Sequence, residues 1–161
     1  VATNEPALKP ALRYSAGPLL FSNALTPVQA AIVLAALDIV ESEDGRQRRD
    51  QLMANVTTLR DGLVAEGFAI LGQPSAIVPV LMGGSAVSRL ATRHALENGA
   101  IVNLVEYPAV SRNSCRWRLQ VMAEHTERHI SDLVRIAVES RQEARRLERQ
   151  IYWSEADMAE A

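Results

Sequence analysis

Residues 115–122 alternate in chemistry. Cys115, Trp117, Leu119 and Val121 fall on one side, and Arg116, Arg118, Gln120 and Met122 on the other. A strand with one apolar and one polar face belongs to a sheet covered on one side only. The chain supplies helices to cover it. Leu52, Val56, Leu59 and Leu63 recur at helical spacing, as do Ile130, Leu133, Val134, Ala137 and Val138. The expected architecture is therefore an α/β (α+β) two-layer sandwich: a small, mostly antiparallel sheet with helices on one face.

The remaining signals set the order of elements. Residues 1–18 carry several prolines and the turn-like run Ser15-Ala16-Gly17-Pro18, and read as a connector. Thr26-Pro27 opens a helix to about Glu43, with Thr as N-cap and Pro at the first helical position. This helix is apolar around most of its circumference and is expected to be buried on more than one side. The charged run from Asp44 to Asp50 either breaks it or leads into a second helix, which Gly67 ends as a left-handed cap. Residues 68–71, 77–82, 100–105 and 115–122 read as strands. A helix from Ser85 to Asn98, stopped by Gly99, separates the second and third. Thr126 caps a last, long helix that becomes Arg/Glu-rich beyond Ser140.

Composition excludes several function classes. Of 161 residues, 48% are hydrophobic and 22% charged, enough apolar material for a packed core. The net charge of −2 gives no broad pull toward nucleic acid. No apolar run is long enough to cross a membrane. Cys115 is the only cysteine, which excludes an internal disulfide and a cysteine-based metal cluster and suits a reducing, cytoplasmic setting. No metal site is expected. Lys9 is the only lysine, and all other basic residues are arginines. Arginine grips carboxylate or phosphate through a planar fork, whereas Schiff-base chemistry needs an amine. The polar face of 115–122 therefore reads either as a solvated sheet face or as an anion site.

Four segments, in this order, carry a resemblance. Leu20-Phe21-Ser22-Asn23-Ala24-Leu25-Thr26-Pro27 resembles the Phe-Ser/Thr-x-Ser-Leu-x-Pro segment of the α-oxoamine synthases. Ser75-Ala76-Ile77-Val78-Pro79-Val80 resembles that family's Ile-Val-Pro-Val strand. Gly99-Ala100-Ile101-Val102 with Tyr107-Pro108-Ala109-Val110 is similar to its Gly-Ile-x-Val…Tyr-Pro-x-Val passage. Arg116-Trp117-Arg118-Leu119 with His125-Thr126 is similar to its Arg-Leu-Arg-Ile…His-Thr signature. The family comprises pyridoxal-phosphate enzymes of the aminotransferase class I/II group, among them 8-amino-7-oxononanoate synthase, 2-amino-3-ketobutyrate CoA ligase, 5-aminolevulinate synthase and serine palmitoyltransferase. The resemblance covers most of the chain, from Ala11 to Ser140.

The resemblance implies fold type I architecture, with this chain as the C-terminal portion. Residues 1–26 would be the end of the large cofactor domain, 27–66 linking helices, 67–150 the C-terminal α/β domain and 151–161 a frayed acidic tail. It implies a homodimer that condenses an amino acid with an acyl-CoA or acyl-carrier-protein thioester, usually with loss of carbon dioxide, to a 2-amino ketone. Two roles carry over by position. Arg118 matches the arginine that binds the substrate carboxylate. Ser22 matches the hydroxyl that reaches the cofactor phosphate of the neighbouring subunit, with Asn23 as an accessory.

No counterpart exists here for the family's Schiff-base lysine, because Lys9 lies too close to Ser22 and lacks its surroundings. No catalytic residue is therefore assigned, and these residues alone are expected to be inactive. Val1 opening directly into a proline-containing loop is expected for a fragment or a cut product. Gln120-Val121-Met122-Ala123 departs from the Thr/Ser-Pro pair of many members. Arg116 reads as a structural ion pair, His125 as local structure, and His94 and His129 as helix-surface residues. Asn55-Val56-Thr57 fits a glycosylation pattern but lies in a helix. Two other readings stay open: a stand-alone, non-catalytic α/β ligand-binding or dimerisation module, and an ordinary fold type I aminotransferase.

Overall fold

The computed structural model describes residues 4–22 and 25–159, the side chains of 19, 20 and 151–159 excepted. It divides into two compact units, residues 1–45 and residues 46–161.

The first unit holds three helices, α1 (Leu8–Ser15), α2 (Gly17–Phe21) and α3 (Pro27–Glu41). The connector expected over 1–18 is thus largely helical. Two of its prolines, read as breakers, occupy first turns instead. Pro10 is the third residue of α1 and Pro18 the second of α2. At those positions the missing N–H has no intrahelical acceptor to lose. Thr26 caps α3 as expected, through a reciprocal box. Thr26 Oγ1 accepts from the Gln29 amide, and Gln29 Oε1 accepts from the Thr26 amide at 2.9 Å.

The expectation that α3 is buried on several sides is not met. Ile32 is 64% exposed and Leu34 62%, and its other large aliphatics are exposed as well. Helical periodicity reports how apolar a helix is, not whether its own chain covers it. Ser42 ends α3. Its Oγ donates to the Ile39 carbonyl at 2.6 Å and accepts from the Gly45 amide at 3.1 Å. A Cβ at Gly45 would collide with the Ile39 carbonyl, so this junction requires glycine.

Helix α4 (Glu43–Ala65) begins directly after Ser42, and the charged run of 44–50 is part of it. The expected cap at Gly67 is present, with φ +74°. The Phe68 amide donates to the Leu63 carbonyl at 3.0 Å and the Gly67 amide to Val64 at 2.9 Å. The second unit then continues through β1 (Ile77–Gly83), α5 (Ser85–Glu97), β2 (Asn103–Val105), β3 (Cys115–Gln120) and α6 (Glu127–Ala159).

The sheet is antiparallel in the order β1-β3-β2, which places β3 at its centre. Two expected strands contract. Residues 68–71 supply a single bridge, Ile70 to Val80, and only Asn103–Val105 of the 100–105 segment pairs. A short apolar run fixes β character but not how many residues find a partner.

Every fully buried sheet residue lies on one face: Val78, Val80, Cys115 and Trp117. They form one core with Val56, Leu59 and Leu63 of α4, Ala91 and Ala95 of α5, and Ile130, Ile136 and Ala137 of α6. Trp117 satisfies its indole by donating Nε1–H to Thr92 Oγ1 of α5 at 2.7 Å. The structure is therefore the expected two-layer arrangement, with the helices of the second unit on one face of the sheet.

Candidate functional site

The alternation of 115–122 puts Arg116, Arg118 and Gln120 on the face away from the helices. The register defines what stands beside them. Arg118 pairs with Pro79 of β1 on one side and Asn103 of β2 on the other. Arg116 pairs with Leu81 and Val105, and Gln120 with Ile77. Partners in an antiparallel ladder share a face, so Arg118 stands at the middle of this open face, with apolar β1 neighbours on one side and Asn103 and Val105 of β2 on the other.

Arg118 is exposed, and among the described residues no hydrogen bond or ion pair engages its guanidinium. Its five N–H donors are available to a planar anion, and a carboxylate fits two of them at once. Arg116 behaves differently. It is half-buried and donates Nε–H to the Ser114 carbonyl at 3.1 Å, so its partner is a backbone oxygen rather than the expected acidic residue.

An open cleft of about 850 Å³ lies at the β2 edge of the sheet, between the end of β3 and α6. Its apolar floor includes Leu119, Val121 and Leu133, and its rim includes Asn103, Gln120 and His125. The cleft lies where β2 has not yet joined the sheet: pairing with β3 begins only at Asn103, which leaves 99–102 outside the ladder beside the end of β3. Sequence reasoning missed both the cleft and Asn103. The register that places Asn103 beside Arg118 is a tertiary fact.

The turn from β3 into α6 is held by Asn55, which is 4% exposed in α4. Its Nδ2 donates to the carbonyls of Met122 (3.0 Å), Ala123 (3.3 Å) and His125 (2.8 Å), and its Oδ1 accepts from Gln51. The residue matching a glycosylation pattern is thus a buried clamp. His125 is local structure, as expected, with Nδ1 accepting from the Met122 amide at 3.3 Å. His129 is exposed and joins Thr126 in a box at the start of α6. His94 departs from expectation. It is half-buried, with Nδ1 3.0 Å from the buried Ser140 hydroxyl, and joins α5 to α6.

In the first unit, Ser22 is exposed and follows α2 as its C-cap, its amide donating to the Pro18 carbonyl at 3.2 Å. Its hydroxyl has no partner among the described residues. Asn23 lies outside the described residues. Lys9 is exposed on α1. Among the described residues, no group of three or more His, Cys, Asp or Glu side chains could hold a metal ion, and no helix is long and apolar enough to cross a membrane.

The aminotransferase class I and II family matches residues 1–136. The chain belongs to this family. It is 36% identical to 8-amino-7-oxononanoate synthase of Geobacter metallireducens over 115 residues, 71% of this chain and 29% of that protein. It is 36% identical to 2-amino-3-ketobutyrate coenzyme A ligase of Escherichia coli over 123 residues, 76% of this chain and 30% of that protein. The fold matches serine palmitoyltransferase of S. paucimobilis, solved with a bound pyridoxal-phosphate–myriocin adduct, at a TM-score of 0.77 and 24% identity. That match covers 89% of this chain and 36% of the other.

This member of the aminotransferase class I and II family thus spans less than a third of the length of those two curated relatives. Its relatives are α-oxoamine synthases, its family is pyridoxal-phosphate-dependent and its fold is fold type I. One described residue has chemistry that suits the phosphate end of that cofactor. Ser22 offers an exposed hydroxyl, free of protein partners among the described residues, of the kind that holds a phosphate oxygen.

Proposed function

We propose that this chain is the C-terminal portion of a pyridoxal-phosphate-dependent α-oxoamine synthase, in which Arg118 binds the carboxylate of the amino-acid substrate. The observation that carries the reading is the exposed guanidinium at the centre of the open sheet face, without a partner among the described residues. The whole enzyme joins an amino acid to an acyl thioester. A carbon–carbon bond forms between Cα and the acyl carbon, the thioester C–S bond breaks, and the thiol leaves. The carboxylate departs as carbon dioxide, leaving a 2-amino ketone. Pyridoxal phosphate, when bound, supplies the electron sink for the charge that develops at Cα.

The contributions of this chain are binding and orientation. Arg118 takes the carboxylate through two parallel N–H···O bonds and so fixes the rotation of the substituents about Cα, which decides the bond that breaks. Ser22 donates its hydroxyl hydrogen to a phosphate oxygen of the cofactor held by a second subunit, which makes the active unit a homodimer. Asn23 assists it.

By this reading, residues 1–26 close the large cofactor domain, 27–66 link, 67–150 form the C-terminal domain and 151–161 are a tail. The acyl donor is a coenzyme A or carrier-protein thioester, and the enzyme works in the cytoplasm, where a free buried thiol such as Cys115 stays reduced. The 161 residues alone do not turn over, since Lys9 lacks the surroundings of a Schiff-base lysine.

The test is to load the full-length gene product with pyridoxal phosphate and titrate amino acids while following the cofactor absorbance. A saturable spectral change that Arg118→Ala abolishes supports the reading. An unchanged affinity in Arg118→Ala sinks it.

A further inference from the structure

We infer that Asn103 is a second ligand for the substrate carboxylate, donating Nδ2–H to the oxygen lone pair that Arg118 leaves open. The inference rests on the carboxylate role proposed for Arg118. Asn103 is the β2 partner of Arg118 in the ladder, so the two side chains leave the sheet on the same face with Cβ atoms about 4.5–5.5 Å apart. Both are exposed, and among the described residues neither side chain makes a hydrogen bond or ion pair. The opposite neighbour of Arg118 is Pro79, whose ring can neither donate nor accept through its side chain. The polar surroundings of the guanidinium are therefore one-sided.

The chemistry favours a donor at this point. A carboxylate offers about four lone-pair sites, and a guanidinium fork takes two. On an open sheet face the remaining sites would face water. An amide alongside takes one of them without bringing a charge that would compete for the arginine. An aspartate at 103 would do the reverse: it would pair with Arg118 itself and repel the incoming carboxylate. Asn103 also touches the cleft at the β2 edge of the sheet, and its exposure leaves the amide open to a ligand. It is a binding residue for the amino acid and has no part in the acyl thioester's approach.

The experiment uses the full-length protein loaded with pyridoxal phosphate. Glycine, L-alanine and L-serine are titrated by the change in cofactor absorbance, with their carboxamides as controls lacking the carboxylate. Asn103→Ala is expected to weaken binding of the responding amino acid about 10-fold or more, the value of one hydrogen bond to a charged group. Asn103→Asp should weaken it further, to roughly 100-fold or more, because a like charge is added and the clamp is neutralised. Asn103→Gln should recover part of the loss. Carboxamide binding should not respond to any of them, and KM for the acyl thioester should be unchanged.

Melting temperature and circular dichroism verify that each variant is folded, which an exposed position on a short strand favours. If Arg118→Ala abolishes binding but Asn103→Ala and Asn103→Asp both bind normally, Asn103 is a bystander and the proposal fails alone. If Arg118→Ala binds normally, or none of the three amino acids binds, the clamp itself falls and takes this inference with it. Equal losses for amino acids and carboxamides would overturn the proposal as well, since the contact would not be to the carboxylate.

Discussion

Asn55 donates its side-chain amide to the carbonyl of His125 at 2.8 Å, across 70 residues of chain. The same amide reaches the Met122 and Ala123 carbonyls, so one buried side chain in α4 fixes the turn by which β3 leaves the sheet for α6. Replacing it with alanine removes the side-chain donor that links α4 to the Ala123 and His125 carbonyls, while the Met122 carbonyl keeps the His125 amide. Asn55→Ala is expected to destabilise the protein by about 2–3 kcal/mol, at the upper end for loss of buried polar satisfaction. Asn55→Asp should be worse, since it aims a carboxylate at three carbonyl oxygens. Urea titration of both variants checks this, and a cost below that of an ordinary surface substitution would mean the turn holds itself.

Arg118 carries the functional reading. In the full-length, cofactor-loaded enzyme, Arg118→Ala should raise the amino-acid KM by about 100-fold or more, as loss of a bidentate charged pair implies. Arg118→Lys should recover only part, because an ammonium cannot present two parallel donors. Steady-state kinetics with the amino acid and the thioester varied separately make the distinction. A loss confined to the thioester KM would move Arg118 to the other substrate.

Ser22 is tested by retention rather than rate. Ser22→Ala should lower the affinity for pyridoxal phosphate by about 10-fold or more, the worth of one hydrogen bond to an ionised group. Equilibrium dialysis against the free cofactor measures it. Unchanged affinity would make Ser22 an ordinary residue between α2 and α3.

Arg141 closes the end of α4. Its two terminal nitrogens donate to the carbonyls of Glu66 (2.6 Å) and Gly67 (3.2 Å), and its guanidinium lies 3.8 Å from the centre of the Phe68 ring. Partial burial presses its pKa downward, and Arg145 adds to that, yet the group remains charged. Arg141→Met, which keeps the aliphatic stem, should cost about 1–2 kcal/mol for the lost carbonyl contacts and cation–π stacking. Thermal melts measure it. No loss would show that water replaces the guanidinium without penalty.

Acid should loosen the end of β2. Arg89 donates Nε and Nη2 to Glu106 at 2.9 and 3.0 Å, and this hydrogen-bonded pair holds the Glu106 carboxyl below its ordinary range. A carboxyl whose pKa is depressed by folding adds stability above its unfolded pKa, and that stability is lost as pH falls through the folded one. Melting temperatures of the native protein and Glu106→Gln should therefore differ most near neutral pH and converge on acidification. A gap that stays constant down to the acid limb would sink the assignment.

Local chemistry fixed what local chemistry can fix. Thr26 and Pro27 start α3, Gly67 and Gly99 end α4 and α5, and the alternation of 115–122 sorts Trp117 inward and Arg118 outward, all from neighbours within a few residues. The prolines of α1 and α2 were misleading because proline breaks a helix only past its first turn. Register, partners and cover lie beyond sequence reading. Asn103 stands next to Arg118 because β2 and β3 pair as they do, and a shift of one residue would send it to the other face. Asn55 matches a glycosylation pattern, but the carbonyls it satisfies are supplied by a turn folded against it from far along the chain. An apolar pattern foretells that a helix wants burial, while the exposed aliphatics of α3 show that the layer to bury it is a matter of what the rest of the fold provides.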